Sequence, residues 1–415
     1  MKHRILVLGA GYAGARIAGT LARRLSPQDV EITVVNAGPR FVQRMRLHQL
    51  AAGQEVASRP LADVFAGTGV RLRVGRVTAL DPDRRTVTVT AATPDAGDGA
   101  HGDGIDGTGG ELAYDTLVYT LGSRVADHGV PGVAEHAYDV AEGPSARRLR
   151  ERLDRLEKAD GGGTVLVVGE GLTGIEAATE IAESRPGLSV ALAARGEPGA
   201  WMSPRARRHL RRSLDRLGVT VHEGTVVEAV EPGRAIAAGG AALPADVTVW
   251  AAGFAVLPLA AEAGLEVAGD GRIVVDRTMR SVSHPDVYAA GDGAYTIGAD
   301  GEPLPMSCFC AGITSSRLVE AVVAHLTGRT APTSALSRLG NCVSLGRRDA
   351  IVQWVRRDGK ARSWSLRGRT ATRYKAAVLS GAHWAAAHPT FGLPRRRRRL
   401  TASAPVRTAP REAAV

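Results

Sequence analysis

Apolar residues along the chain fall into short unbroken runs, several followed by a stretch whose apolar positions recur every three or four residues. An unbroken run suits a strand buried on both faces, and the 3.6-residue rhythm after it suits a helix covering that strand. At the start, RILVLG predicts a strand over 4–9, the following stretch a helix over 12–24 and EITVVN a strand over 31–36, which together make a βαβ unit. The order returns after the amphipathic segment ARRLRERLDRLEKA at 146–159, where GTVLVVGEGLTGIEAATEIAES and LSVALAA again read strand, helix, strand. Between the two units, RLRVGRVTAL, RTVTVTA and YDTLVYTLG predict strands of a small sheet. DGAHGDGIDGTGG at 98–110 interrupts them and reads as a hairpin tip, with an aspartate-rich calcium loop as the alternative. Further on, RRHLRRSLDRLGV predicts a helix, DVTVWAAGF a strand ending in glycine, and GRIVVDRTMRSVSHPDVYAAGD a return to the first unit. Beyond about residue 330, NCVSLGRRDAIVQWVRRDGKARSWSLRG predicts an antiparallel hairpin, followed by a helix over roughly 370–387. The last residues, PRRRRRLTASAPVRTAPREAAV, predict a disordered basic tail.

Each repeated unit carries glycines at one spacing: Gly9, Gly11 and Gly14 in LGAGYAG, and Gly169, Gly171 and Gly174 in GEGLTG. In such a loop the first glycine allows the tight turn, the second lets backbone approach a pyrophosphate, and the third lets the helix pack on its strand. The anion then sits where a helix start offers free N–H groups and the positive end of its dipole. One GxGxxG is weak evidence; two, each between an apolar strand and a helix, point to two Rossmann-like nucleotide sites. An acidic residue at the end of the second strand normally reads the adenosine ribose. Both copies depart from that: the first has Asn36, in VVNAGPR, and the second has Ala194 followed by Arg195. Arg195 suits a 2′-phosphate, which keeps NADPH open beside NADH, and is equally one more solvated arginine.

A length of 415 residues exceeds one ordinary core and predicts two or three domains. The net charge of +11 suggests acidic partners, but only four of the 53 basic residues are lysines, so the charge reads as an arginine bias spread over the surface. No zinc-finger spacing or RNA-recognition signature accompanies it, so no nucleic-acid partner is expected. Three cysteines, Cys308, Cys310 and Cys342, make neither a disulfide framework nor a four-ligand metal site, which fits a reducing cytoplasm and no metal. No run of 18 apolar residues is present. The opening MKHRILVLGAGYAGARIAGTLA imitates a signal peptide, but its glycines stand at dinucleotide-loop spacing.

The chain resembles the FAD-dependent pyridine-nucleotide oxidoreductases, in the branch of type II NADH dehydrogenases and apoptosis-inducing-factor-like quinone reductases. The marks, in order over residues 1–330, are the first glycine loop, YDTLVYTLGS at 114–123, GEGLTGIEAATE, WAAGF at 250–254 and HPDVYAAGD at 284–292. The resemblance implies an α/β fold of two Rossmann-like dinucleotide-binding domains in a glutathione-reductase-like arrangement, plus a small α+β C-terminal region. The divisions it suggests are 1–143 and 255–330 for FAD, 144–254 for NAD(P), 331–390 for the C-terminal region and 391–415 for the tail. It implies that Gly9, Gly11 and Gly14 hold the FAD pyrophosphate, that Asp292 after Gly291 binds the ribityl chain, and that Gly169, Gly171 and Gly174 hold NADH or NADPH. Gly122 and Gly253 would lie where the chain crosses between domains, and Glu176 near the reacting rings, either catalytic or as a helix-start carboxylate. FVQRMRLHQLAAG at 41–53 resembles the segment beside the flavin, with Gln49 at the family's recurrent glutamine and His48 as a proton donor or a packed side chain.

The disulfide reductases of this fold carry CxxxxC near that segment, and residues 36–55 hold no cysteine. Cys308 and Cys310 lie instead in LPMSCFCAGITSS and read as packed thiols, with a redox pair as the alternative. Quinone-reducing relatives place a glutamine at this helix start, and none stands here, so the acceptor is the least determined part. The leading expectation is hydride transfer from NAD(P)H to FAD and on to a quinone. The alternatives are reduction of an acidic carrier such as ferredoxin, or a redox-responsive binding protein. TATRYKAAVLSGAHWAAAH with RRRRR could rest on anionic lipid, placing a cytoplasmic protein peripherally at the inner face of the membrane, or could be a packed helix with a solvated tail. A homodimer is left open.

Overall fold

The computed structural model describes residues 1–91, 105–158, 162–391 and 397–401. Residues 98–104 of the glycine- and aspartate-rich insert fall outside these, and with them the hairpin-tip and calcium-loop readings. Among the described residues no group of His, Cys, Asp and Glu could hold a metal ion.

The chain opens with β1 (His3–Leu8), α1 (Tyr12–Arg24), β2 (Val30–Asn36), the short helix α2 (Leu47–Ala51), β3 (Arg71–Asp81), β4 (Thr86–Ala91), β5 (Gly110–Ala113), β6 (Thr116–Tyr119) and β7 (Arg124–Val125). It continues through β8 (Ala137–Tyr138), α3 (Gly143–Glu157), β9 (Gly163–Val168), α4 (Leu172–Ser184), β10 (Leu188–Ala193), α5 (Pro204–Arg216), β11 (Thr220–His222), β12 (Val247–Trp250) and β13 (Phe254–Ala255). The last stretch contributes β14 (Val287–Ala289), α6 (Cys308–Leu326), β15 (Gly340–Ser344), β16 (Ala350–Val355), β17 (Ala361–Arg367) and α7 (Gly368–Ala387).

Two sheets organise these elements. The first has the order β14-β6-β1-β2-β3-β4-β5, with the short strand Ile105–Asp106 pairing β3, and the second the order β8-β12-β9-β10-β11. In both, a strand that feeds a glycine loop sits at the centre with parallel neighbours: β1 pairs β2 from His3↔Val30 to Leu8↔Val35, and β9 pairs β10 from Gly163↔Leu188 to Val168↔Ala193. The central strands are the unbroken apolar runs. Ile5, Leu6, Val7 and Leu8 are buried, as are Val165, Leu166, Val167 and Val168. Val287–Ala289 returns the late chain to β6 in parallel, at Val287↔Leu117. The segment after β2 departs from expectation: β3 runs parallel to β2 at Thr33↔Arg71 and bends into antiparallel pairing with β4, so these strands extend the first sheet and form no separate one. Alternation alone could not distinguish an extension from a separate sheet.

Small residues let α1 lie close to its neighbours. Ala15, Ile17, Ala18 and Leu21 are fully buried, and a Cβ on Gly19 would stand 2.4 Å from Pro389 beyond the end of α7. The expected C-terminal hairpin is a three-stranded antiparallel sheet, β15-β16-β17, and α7 follows it. Val343, Leu345 and Ile351 of this region join Leu47 and Ala51 of α2 in one apolar cluster with Ile175, Ala178 and Ile181 of α4. That shared cluster brings α2, α4 and the C-terminal region to one place. Residues 397–401, within the expected tail, lie against the end of α1. Arg398 N–H donates to the Arg24 carbonyl and its own carbonyl accepts from Ser26 N–H, both at 2.8 Å.

Candidate functional site

The two glycine loops are built alike. Gly9 has φ +91° and Gly169 φ +122°, and a Cβ on either would lie 2.4 Å from a carbonyl of the adjacent strand segment, Thr120 or Ala251. Gly14 and Gly174 each bring α1 or α4 so near that a Cβ would stand 1.8 Å from the carbonyl of the first glycine. Gly11 and Gly171 face open space. They are also the residues before α1 and α4, with no side chain capping the helix and no acidic residue in its first turn. By contrast, Ser203 caps α5 and Ser307 caps α6. Two open helix starts behind glycines that tolerate no side chain are cradles into which pyrophosphate fits.

Asn36 ends β2 and holds the first loop: its Oδ1 accepts from Ala10 N–H at 2.9 Å and its Nδ2 donates to the Gly38 carbonyl at 2.7 Å. Gly291 N–H donates to Thr314 Oγ1, and Asp292 accepts from Ser123 Oγ at 2.6 Å, with Arg44 Nη1 at 3.8 Å. Gly122 (φ +73°) and Gly253 (φ +132°) flank β7 and β13, which pair antiparallel at Arg124↔Ala255 where the chain passes between the two sheets. Trp250 pins this crossing by donating to the Ala126 carbonyl at 2.8 Å.

A cleft of about 780 Å³ begins at Gly169 and Gly171, runs past Arg195 and Gly253, and reaches His48, Glu176 and Asp292. The first loop, Asn36, Gly122, Gly174 and Gly291 do not line it. At its inner end Glu176, on the first turns of α4, accepts on Oε1 from Ser344 N–H at 2.9 Å and from the ammonium of Lys375. Lys375 is 6% exposed and also donates to Ser344 Oγ at 2.6 Å. His48 Nδ1 lies 3.7 Å from Glu176 Oε2, and its Nε2 has no partner among the described residues. Burial pushes the Glu176 carboxyl up, but Lys375, His48 and the Ser344 N–H outweigh it and hold the group below its ordinary value. Burial dominates at His48 and pushes its imidazole down, so it is neutral beside a charged carboxylate. One turn on, Glu180 is fully buried, with Oε1 accepting from Gln54 and from Arg347 Nε.

Lys375 escaped the sequence reading because α7 shows no clear apolar stripe. Its one signal was chemical, a lysine among 49 arginines. Gln49 accepts from Arg46 at 2.7 Å and does not line the cleft. The three cysteines are free; Cys308 lines the cleft and burial pushes its thiol up to about 12, so it is protonated at neutral pH.

Paired strand-loop-helix cradles, the second opening into a cleft that ends at a buried carboxylate and imidazole, define a class of protein that moves electrons between two nucleotides. The family model described as pyridine nucleotide-disulphide oxidoreductase matches residues 3–327, and the chain belongs to that family. It is an FAD-dependent oxidoreductase that uses a pyridine nucleotide. It is similar to an NADH dehydrogenase-like protein of Mycobacterium tuberculosis, 34% identical over 74% of this chain and 76% of the relative. It is also similar to the demethylphylloquinone reductase of a Synechocystis strain, 26% identical over 85% and 86%. Among solved structures, the sulfide:quinone oxidoreductase of Aquifex aeolicus shares the fold, with a TM-score of 0.75, 18% identity and coverage of 94% and 93%.

Proposed function

We propose that the protein is an NAD(P)H:quinone-type oxidoreductase. The observation that carries the reading is the single cleft leading from the second glycine loop to Glu176, His48 and Asp292, beside the region that the first sheet supplies. In this reading residues 1–143 and 255–330 bind FAD, 144–254 bind the nicotinamide nucleotide, and 331–390 cover the site. Gly9, Gly11, Gly14, Asn36, Gly122, Gly291 and Asp292 hold FAD, which supplies the hydride and electron chemistry when bound. Gly169, Gly171, Gly174 and Gly253 take the nucleotide.

The chain's own residues orient and balance charge. Gly171 leaves the start of α4 open to the pyrophosphate. Lys375 places a buried positive charge at the inner end of the cleft, where it would offset negative charge on a reduced FAD held there. The neutral His48 can take up a proton at Nε2 while its Nδ1–H passes to the ionised Glu176, and the carboxyl so protonated can give that proton on to the reduced acceptor. A quinone needs protons as well as electrons, which is what this pair offers and a ferredoxin would not require.

The acceptor could enter from lipid. Tyr374, Val378 and Trp384 of α7 and Phe391 beyond it are exposed, although among the described residues no helix is long and apolar enough to cross a membrane. Flotation with anionic liposomes at physiological salt should carry the protein upward; protein left at the bottom removes the membrane contact. For the function itself, protein reduced anaerobically by NADH or NADPH should be reoxidised by soluble quinones faster than by ferredoxin or oxygen. Reoxidation by ferredoxin alone would transfer the reading to the acidic-carrier alternative.

A further inference from the structure

The two nucleotide cradles differ at one point, and the difference is an exchange. Their equivalence is fixed by hydrogen bonds: Gly9 N–H donates to the Val35 carbonyl at 2.8 Å, and Gly169 N–H to the Ala193 carbonyl at 2.9 Å. Ala10 therefore matches Glu170, and Asn36 matches Ala194. In the first cradle the polar side chain stands on the strand end and reaches back to the loop, Asn36 Oδ1 to Ala10 N–H. In the second the strand end is apolar, and the polar side chain stands on the loop and reaches out to the strand end. Glu170 Oε2 accepts from Arg195 N–H at 3.1 Å. Its Oε1 accepts nothing from the described residues and lies 3.9 Å from where a Gly196 Cβ would be.

Resting on the proposed function, we infer that Glu170 is the ribose-reading acid of the second cradle and selects NADH over NADPH. It returns a carboxylate to the place where Ala194 leaves none. One lone pair of Oε2 serves Arg195 N–H, and the remaining acceptor sites are free to take the two vicinal ribose hydroxyls. Glu170 is half-buried and lines the cleft beside Arg195 and Thr225, whose N–H holds the neighbouring turn to the Ala194 carbonyl at 2.9 Å. A 2′-phosphate at this place would set its negative charge against the carboxylate and remove the 2′-hydroxyl as a donor.

Arg195 is the competing group, and its standing is weaker. Its side chain is exposed and makes no ion pair among the described residues, so it is a solvated, mobile charge, whereas the Glu170 carboxylate is fixed by backbone. The nearby Glu197 is already engaged by Arg207 and by Arg211 at 3.5 Å and adds no free negative charge.

The test is calorimetric binding of NAD⁺ and NADP⁺ to the FAD-loaded protein, beside kcat/KM for NADH and NADPH with one quinone. The wild type should prefer the non-phosphorylated nucleotide in both measurements. Glu170→Gln keeps an acceptor for Arg195 N–H but removes the charge. It should weaken NAD⁺ and strengthen NADP⁺, each on the order of tenfold. Opposite movements cannot come from a damaged fold, which would weaken both. Glu170→Ala, checked by its melting temperature, should move the ratio the same way. A wild type that prefers NADPH, or variants that leave the ratio unmoved, would overturn the assignment. Failure of both nucleotides to bind and to reduce the protein would instead overturn the proposed function.

Discussion

At the scale of single residues, the site is a problem of buried charge. Glu176 is ionised because the Lys375 ammonium and the Ser344 N–H face it, and removing the ammonium leaves a carboxylate in a pocket that does not favour it. Lys375→Met should therefore lower stability by about 3 kcal/mol near neutral pH, and Glu176→Gln in the same chain should recover much of that loss. Thermal melts of the single and double variants check it; additive losses would mean that the two side chains are not coupled. His48 gives a prediction in pH. Its folded-state value lies below the ordinary 6.5, so as pH falls the unfolded chain takes up the proton first. The stability it contributes is complete above about pH 6.5 and drains away in more acid solution. His48→Asn should flatten the fall in melting temperature between pH 7 and pH 5; an unchanged slope would place the acid sensitivity elsewhere. His48 and Glu176 could be picked from the sequence as polar residues in motifs, but their partner could not. Lys375 comes from a helix 199 residues away, and no local pattern marks which lysine folds back onto which carboxylate.

At the scale of elements, both glycine loops were legible because a requirement for no side chain is written directly into the residue type. The structure adds what each glycine avoids. Gly14→Ala and Gly174→Ala would each press a methyl group onto a backbone carbonyl and push a helix off its strand, at a cost of about 1–3 kcal/mol. Their effects should separate. Gly14→Ala should yield colourless protein, and Gly174→Ala a yellow protein that NADH no longer bleaches. Loss of colour in both would mean that one cradle cannot be disturbed without the other. Strand-helix-strand order was readable from hydrophobic rhythm, and α1 is where that rhythm put it. The joining of β3 to β2 was not readable, because pairing of a long alternating strand depends on what lies beside it. The hold of residues 397–401 on the end of α1 was hidden for a related reason: it rests on backbone hydrogen bonds, which composition does not report.

At the scale of the whole molecule, the central claim is that two cradles share one reacting centre, with the C-terminal region closing it through Lys375. The crossing at β7 and β13 and the apolar cluster uniting α2, α4 and β15 make that meeting a property of the fold and not of one loop. Family marks in the sequence announced the two cradles; the closure from the C-terminal side lay beyond them, in a region where charge and weak periodicity concealed a buried contact. The most direct test is anaerobic mixing of the purified FAD-loaded protein with one equivalent of NADH, followed by a soluble quinone. The account predicts that the visible flavin absorbance bleaches on the first addition and returns on the second. Flavin absorbance that NADH leaves untouched would contradict it.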